Sequence, residues 1–409
     1  MLLEFTVGNF LSFKDKKTFS LEAGSISELK DNVVKEGKYK VLRSAVIYGA
    51  NSSGKSNFIK ALEFMVTTVK NSSKLNSTDK LNAKPFLLNT ETENQPSFFE
   101  IIFVVSNVLK IDKRYRYGFE IDEDKVHTEW MYVLNANSKK EEVCFVRNND
   151  GIGVADVFKD ARGLESKTRD NGLFIALADQ FNIDVAKNVM WNFSNLYILS
   201  GIDHSTSVVA TDFLYNRNEE QKTAIEKFIN NLNLGFSNFK INDDTQIGFK
   251  KRISTLHKKF DSNGKFISNI DFKLEDQESS GTNKLFDLSG YIVFVLYYGL
   301  QIVIDELDSK LHPILTQEII KLFNNPETNP KNAQLIFTTH DTNLLGANLF
   351  RRDQIWFTEK DEFEATDMYS LLEFKDEDGN TIRKDRSFEK DYIRGRYGAI
   401  PYISNFQEV

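Results

Sequence analysis

Residues 48–57, which read YGANSSGKSN, restrict the fold of this chain more than any other segment. They follow the apolar run SAVIYG (44–49) and precede SNFIKALEFMVTTVKN (56–71), whose apolar residues recur at helical spacing. The spacing GxxxxGKS between a buried strand and a helix is typical of a loop that binds phosphate groups. The sequence therefore predicts an α/β fold with a phosphate-binding loop at the end of a strand.

Each part of this loop has a chemical role in phosphate binding. Gly49 and Gly54 permit the turn, the Lys55 ammonium reaches the β- and γ-phosphates, and the Ser56 hydroxyl is offered to Mg²⁺. We predict nucleotide contacts from Gly49, Ala50, Asn51, Ser52, Ser53, Gly54, Lys55, Ser56 and Asn57. The alternative, a surface turn rich in glycine and serine, leaves Lys55 and the flanking strand unexplained.

Polar residues follow two further apolar strands. In LQIVIDELDSKLHP (300–313), Asp305 is expected beside Mg²⁺, and Glu306 is expected to polarise an attacking water. In IFTTHDTNLL (336–345), His340 lies just past a strand end, where ligands of open α/β sheets gather. The alternatives are an acidic helix cap for the two acids and an ordinary loop position for the histidine.

A second anion site is predicted where SSGT opens a helix. Hydroxyl and N–H groups of Ser279, Ser280 and Gly281 would form this site at the helix N-terminus. One chain does not need two anion sites for the same nucleotide, so we expect this one to serve the γ-phosphate of a neighbouring chain. A plain helix N-cap is the alternative.

Composition limits the other functions open to this chain. The chain has 409 residues, of which 41% are hydrophobic and 27% charged, as in ordinary globular proteins. Its net charge of −7 shows no general basic surface for nucleic acid, which leaves room only for a local basic groove. A single cysteine, Cys144, excludes a disulfide or a cysteine-based zinc cluster within one chain. We find no signal peptide or spanning segment and expect a cytoplasmic protein without a membrane partner.

The chain divides into three predicted regions. Residues 1–150 hold the loop and an antiparallel meander, residues 151–268 are expected to form a mostly helical insertion, and residues 269–409 return to strand–helix alternation. The insertion shows no heptad array, so no coiled-coil arm is expected. Residues 375–396 alternate charges without apolar periodicity, and they are a candidate surface for a partner protein.

These motifs, in this order, resemble the ABC-type ATPases of the SMC/RecF/OLD class. Gly49–Ser56 resembles Walker A, ESSGT (278–282) the signature, Ile302–Asp305 with Glu306 Walker B, and His340 the switch histidine. The signature is not the transporter form LSGGQ, and His312 stands where an aspartate usually closes the D-loop; both departures resemble the OLD-related branch. The resemblance implies a mixed β-sheet core with an antiparallel subdomain, the cofactors ATP and Mg²⁺, and catalysis by Glu306 and His340. It also implies a glutamine at the metal, for which Gln95 is the best candidate, and it places Ser12 and Lys14 near the base or ribose.

A closer resemblance is to the RloA/AbiL-type ATPases of bacterial phage defence and abortive infection, which include the ATPase of the PARIS system. It is carried by NFLSFKD (9–15), YGANSSGKSN (48–57), YRYGFEID (115–122), NGLFIALADQFN (171–182), ESSGTNKLFDL (278–288), DELDSKLHP (305–313), RRDQIWFTEKD (351–361) and YIRGRYGAIPY (392–402). This resemblance implies a homodimer or higher homo-oligomer that assembles through its ATP sites. It also implies control of an effector protein, either a toxin or a nuclease.

Two other functions stay open at this stage. A RecF/SMC-like DNA clamp needs a basic surface, for which KKRISTLHKK (250–259) offers a local patch. An OLD-like nuclease needs a carboxylate-rich domain, whereas the acids of FKDEDGN (374–380) are expected to form a hairpin turn at Asp378–Gly379. A transporter subunit is disfavoured by the large insertion and the signature.

Overall fold

A computed structural model describes residues 1–105, 113–135, 138–200, 208–241, 252–376 and 379–401. Some predictions fall partly outside these ranges. The residues concerned are 201–207 and 242–251 of the insertion (among them Lys250 and Lys251 of the basic patch), Glu377 and Asp378 of the charged segment and the expected turn, and Tyr402 at the end of the last motif. In the described part, no helix is long and apolar enough to cross a membrane.

The first layer is an antiparallel sheet of seven strands in the order β10-β9-β8-β7-β6-β1-β2. Its strands are β1 (Leu2–Gly8), β2 (Lys17–Ser20), β6 (Ser97–Val105), β7 (Lys113–Ile121), β8 (Val126–Asn135), β9 (Glu142–Asn148) and β10 (Gly151–Val154). Strands β6 to β8 are the meander expected from the alternating sequence, because each pairs with the next in the chain. The predicted antiparallel subdomain is therefore confirmed.

The second layer is a six-stranded sheet in the order β11-β15-β16-β5-β17-β18. Its strands are β5 (Ser44–Gly49), β11 (Leu196–Leu199), β15 (Gln301–Ile304), β16 (Gln334–Thr338), β17 (Ile355–Lys360) and β18 (Thr366–Ser370). All pairs are parallel except β17 with β18. Every residue of β5, β15 and β16 is buried, as expected for parallel strands covered on both faces.

Two smaller sheets complete the strands. One pairs β3 (Val33–Glu36) with β4 (Tyr39–Leu42), and the other has the order β12-β13-β14, formed by Asn238–Ile241, Ile253–Phe260 and Phe266–Lys273. The helices are α1 (Lys55–Asn71), α2 (Phe174–Gln180), α3 (Asp184–Ser194), α4 (Val208–Tyr215), α5 (Glu219–Asn231), α6 (Leu274–Gln277), α7 (Ser280–Tyr298), α8 (Pro313–Asn324), α9 (Asn343–Gly346) and α10 (Phe388–Ile393).

Strand β5 separates two hydrophobic cores. Ala45 and Ile47 point into the core that includes α1, whereas Val46 and Tyr48 point into the core that includes α7 and α8. This alternation follows from the two-residue period of a strand. The loop after β5 is consequently held from both sides of the sheet.

The region 151–268 mixes helices with strands, although we expected it to be mostly helical. Helices α2, α3 and α5 agree with that expectation, but Leu196–Leu199 is a strand of the six-stranded sheet beside β15. Residues 253–268 also depart from this expectation, because they belong to the hairpin of β13 and β14. Their β-branched and aromatic side chains suit a strand better than a helix. The three-region division itself stays a prediction.

The C-terminal segment buries more than its charge pattern indicated. Ile382 and Tyr392 belong to the core that includes α7 and α8, and the Tyr392 ring stacks on Phe357 at a centroid distance of 5.4 Å. Lys375 and Thr381 form an antiparallel bridge that flanks the expected turn. Ile382, Asp391 and Tyr392 thus anchor this segment to the domain, while most of its other described residues, within 375–376 and 379–396, are exposed.

Candidate nucleotide-binding site

The carboxyl ends of four parallel strands meet at one edge of the six-stranded sheet. In the register of these strands, Ile304 lies opposite Phe337, Thr338 opposite Ile47, and Thr358 opposite Gly49. The loop 49–56, the acids 305–306 and His340 all follow these ends directly. The sheet therefore brings together three motifs that are far apart in the sequence.

The geometry of the loop depends on its two glycines. A Cβ atom on Gly49 would lie 2.4 Å from Ser53 Oγ and 2.5 Å from Thr358 Oγ1. Gly54 has φ 114°, and a Cβ atom there would lie 2.2 Å from Thr366 Oγ1. The loop is fixed to β17 because the hydroxyls of Ser53 and Thr358 share a hydrogen bond of 2.7 Å. It is thus a built cradle and not a surface turn.

Lys55 lies across this loop at the start of α1. Its ammonium donates hydrogen bonds to the carbonyl oxygens of Gly49 and Ala50, at 2.8 and 3.0 Å. Burial lowers the pKa of Lys55, while the nearby carboxylates of Asp305 and Glu306 act in the opposite direction. A partly desolvated cation beside backbone N–H groups is a suitable site for phosphate.

Thr338, at the end of β16, positions both acids. Its hydroxyl donates to Asp305 Oδ1 at 2.5 Å and accepts the N–H of Glu306 at 2.7 Å. Asp305 is buried, and Glu306 has φ 52°, an unusual backbone conformation for a glutamate. The sequence analysis did not single out Thr338, although a threonine at a strand end next to the acids was a usable signal.

His340 lies in the same electrostatic environment. Its backbone N–H donates to Asp308 Oδ2 at 3.3 Å. Partial desolvation and then the Lys55 ammonium lower the pKa of His340, against the opposing carboxylates of Asp308, Glu306 and Asp305. The structure therefore assembles Lys55, Asp305, Glu306 and His340 in one site, and it adds Asp308, which the motif analysis did not assign.

The predicted second anion site lies at a different cavity. Ser279 is the N-cap of α7, and its hydroxyl accepts the N–H of Thr282 at 3.1 Å, so the expected helix start is confirmed. Residues 279–282 line a cavity of about 610 Å³ together with 232–234 and 310–312. None of the residues lining that cavity belongs to the loop 49–56. His312 caps α8 by accepting the N–H of Ile314 at 3.3 Å.

Lys284 bonds helix α7 to the backbone that follows β15, and sequence reasoning missed it. Its ammonium donates to the carbonyl oxygens of Glu306, Leu307 and Ser309, at 2.8, 3.1 and 2.8 Å. Burial lowers the pKa of Lys284 to about 8, although the acids nearby oppose this shift. Lys284 is the one basic residue of the helix 280–298, which is mostly apolar from Leu285 onward, and this was the signal that could have revealed it.

Gln95 and Asn57 make other contacts near the first strand. The backbone of Gln95 bonds Asn9 and Thr92, and its side chain is exposed before β6, so its role at the metal stays a prediction. Asn57 donates to the Ser12 hydroxyl at 2.8 Å. Ser12 is therefore held next to the first turn of α1.

The residues at this edge fit a nucleotide with Mg²⁺. In the described part of the chain, no three His, Cys, Asp or Glu residues are grouped as a complete metal site. Mg²⁺ commonly needs only one or two carboxylates when phosphates complete its shell, and Asp305 with the Ser56 hydroxyl supplies such a set. The loop amides and Lys55 would supply the phosphate contacts.

The fold and this site define a P-loop ATPase-type domain of the AAA/ABC-like class. The chain matches the family described as "AAA domain, putative AbiEii toxin, Type IV TA system" over residues 44–177 and 202–346. Because these matches span more than half of the chain, the chain belongs to this family. No curated protein matches it. The expected ATPase class with a link to abortive infection is confirmed at this level.

Proposed function

We propose that this protein binds and hydrolyses ATP as a switch that assembles through its nucleotide sites. The observation that carries the proposal is the convergence of Lys55, Asp305, Glu306 and His340 at the edge that holds the loop 49–56. Family membership supports the ATPase class, and the position of Glu306 directly after Asp305 supports hydrolysis. The resemblance to RloA/AbiL-type ATPases supports the same reading.

In this proposal, different side chains bind ATP, bind Mg²⁺ and support hydrolysis. The loop amides and Lys55 hold the β- and γ-phosphates, and Ser56 and Asp305 provide ligands for Mg²⁺, with Gln95 as the further candidate. Mg²⁺ bound with the nucleotide neutralises phosphate charge. Glu306 orients a water and accepts its proton, and His340 donates a hydrogen bond toward the reacting phosphate.

Assembly follows from the cavity at the start of α7. Ser279, Ser280 and Gly281 present the N-terminal end of a 19-residue helix, which attracts anions. In our proposal they bind the γ-phosphate held by a second copy, so ATP bridges two chains into a homodimer or a higher homo-oligomer. Hydrolysis removes that bridge and reopens the assembly.

The assembled form controls an effector protein in a cytoplasmic defence of the abortive-infection type. This part of the proposal is supported by the family, whose description names a toxin of a type IV toxin–antitoxin system. The effector is a toxin or a nuclease, and this chain is its ATP-dependent regulator. A DNA clamp is the second candidate, supported by exposed Lys258 and Lys259 in the predicted basic patch.

Calorimetry with ATP and Mg²⁺ tests the nucleotide site. Lys55→Ala removes the buried cation and is expected to weaken ATP binding by about 100-fold or more. Lys60→Ala is the matched control, because Lys60 is exposed on the same helix. Equal affinity in the two variants would contradict the site, provided that both retain the circular dichroism of the unmodified protein.

A further inference from the structure

The hairpin β13–β14 presents a free edge of backbone. Within the described ranges, β14 pairs with β13 on one side and with no strand on the other. Apart from Phe272, all of its residues are exposed. After an irregularity near Phe266, the pairing of β14 with β13 is regular from Ser268 to Lys273, and this exposed stretch leaves a row of N–H and C=O groups that can pair with another chain.

Apolar side chains accompany this edge on both strands. Phe260, Phe266, Ile267 and Ile270 are exposed by 52%, 51%, 56% and 41%. The rings of Phe260 and Phe266 lie 6.3 Å apart at the end of the hairpin, so these two residues form one surface. Single exposed apolar residues are ordinary, but a group of four on two paired strands is typical of a docking surface.

The charge of the hairpin differs from that of the chain. Lys258, Lys259 and Lys265 are exposed, while the Asp261 carboxylate accepts the backbone N–H groups of Asn263 and Lys265 at 2.9 Å. Asp271 is placed 3.6 Å from the Lys240 ammonium. A chain of net charge −7 thus carries a positive hairpin, which is complementary to an acidic partner.

The base of the hairpin is bonded to the signature segment. The His257 ring nitrogen Nε2 lies 2.7 Å from Glu278 Oε1, and the Thr255 hydroxyl bonds the same oxygen. Glu278 directly precedes Ser279, the N-cap of α7. The two hydrogen bonds come from β13, and β14 pairs with β13 and leads along the chain to Glu278. A group that binds β14 therefore binds a hairpin that is joined to the proposed assembly site.

We propose that the β14 edge is the docking site for an extended acidic segment of a partner protein. The segment adds a fourth strand to the sheet, places apolar side chains against Phe266 and Ile270, and pairs its carboxylates with the three lysines. This inference rests on the proposed function in one respect, namely that this partner is the effector that the ATPase controls.

Other occupants fit the surface less well. Nucleic acid would use the lysines but leave the backbone edge and the two isoleucines without a partner. A second copy of the hairpin would bring like charges together. The C-terminal segment is a weaker docking surface, because Arg383 is paired with Asp385, and Arg386 and Arg396 are paired with Asp391.

A designed peptide tests the docking site without nucleotide. The probe is a fluorescein-labelled 12-residue peptide of alternating valine and glutamate, titrated into the full-length protein and followed by anisotropy. We expect saturable binding, with hydrogen-exchange protection of residues 266–273. The combined variant Lys258→Glu, Lys259→Glu, Lys265→Glu should weaken binding by about 10-fold or more.

The matched control reverses the charge of three lysines on the hairpin of β3 and β4, by the substitutions Lys35→Glu, Lys38→Glu and Lys40→Glu. This variant should bind the peptide nearly as well as the unmodified protein. Ile267→Glu with Ile270→Glu should also weaken binding. The inference is overturned by no saturable binding, by protection outside β14, or by equal losses in both lysine variants. Tighter binding of a 12-base-pair DNA duplex, lost in the first lysine variant, would instead assign the hairpin to nucleic acid. Because ATP is absent, failure here leaves the ATP-binding test with Lys55→Ala unaffected.

Discussion

The ammonium of Lys284 donates a hydrogen bond of 2.8 Å to the backbone carbonyl of Glu306. This contact joins α7, which begins at the signature residues, to the loop that carries the proposed catalytic base. Two further bonds from the same ammonium reach Leu307 and Ser309, so one side chain fixes the backbone from Glu306 to Ser309. One side chain thus joins the helix that starts at the signature residues to Glu306, the proposed catalytic base.

Lys284→Met tests this connection. The substitution removes one donor from each of three carbonyls, so the conformation of Glu306 at φ 52° loses part of its support. We expect kcat for ATP to fall by about 10- to 100-fold, while ATP affinity changes by less than about threefold, because Lys55 and the loop are untouched. Lys284→Arg should restore part of the rate. Lys321→Met, on the exposed face of α8, is the control; a matching loss of kcat there would remove the special role of Lys284.

The pKa of Lys284 predicts a pH dependence of stability. Its folded pKa of about 8 lies below the ordinary value of 10.5, so between these values the unfolded chain binds more protons than the folded one. The cost of burying the charge is complete below pH 8 and is relieved as the pH rises. Relative to Lys284→Met, the free energy of unfolding should thus increase by up to about 1.4 kcal/mol per pH unit in this range. Urea titrations from pH 7 to pH 10 measure the free energy of unfolding of both proteins. If the two free energies change with pH in parallel, Lys284 does not titrate in this range.

Thr338→Val removes the hydroxyl that holds Asp305 and Glu306 while keeping the size of the side chain. Both acids then lose a buried hydrogen bond, at a cost of about 1–3 kcal/mol in stability. Steady-state turnover should drop by at least about 10-fold, because Asp305 and Glu306 share this one anchor. Thr338→Ser keeps the hydroxyl and should retain most of the activity. If Thr338→Ser and Thr338→Val have the same turnover, the Thr338 side chain contributes only to packing.

Ser280 offers a sharper test of assembly than Gly281. A Cβ atom on Gly281 would lie 2.6 Å from the Lys310 carbonyl oxygen, so Gly281→Asp would disturb the fold as well as the anion site. Ser280 is exposed at the first position of α7, where an acidic residue favours the helix. We expect Ser280→Asp to keep ATP binding and thermal stability but to abolish ATP-driven association. The isosteric Ser280→Asn lacks the charge and should still associate, and light scattering compares the two.

The sequence was sufficient for the parts of the site that local patterns define. The loop 49–56 and the acids 305–306 are marked by residue spacing at strand ends, and the parallel arrangement of those strands then predicts their meeting. Thr338 was missed because its role depends on the register between β16 and β15. Lys284 was missed because its partners lie in a loop more than twenty residues further along the chain.

Local sequence patterns did not predict two features of the fold, for a similar reason. Strand β11 has only four residues, and its partner strand β15 begins much later in the sequence, at Gln301. No local pattern therefore marks β11 as part of the sheet. The hairpin β13–β14 alternates weakly because most of β14 is exposed on both faces. Short or exposed strands carry little burial signal, and their neighbours in the fold decide their structure.

Light scattering of Glu306→Gln, with and without ATP, beside an ATPase assay, tests the central claim most directly. The glutamine keeps the size of the side chain but cannot accept the proton from water, so turnover should fall by about 10²–10⁴-fold. ATP binding should persist, and at about 1,000 times the dissociation constant it would stabilise the ATP-bound form by roughly 4 kcal/mol per site. We predict that this variant accumulates as an ATP-dependent dimer or higher oligomer. Turnover near that of the unmodified protein would contradict the role of Glu306, and a collapse of turnover with no rise in mass on adding ATP would contradict the assembling switch.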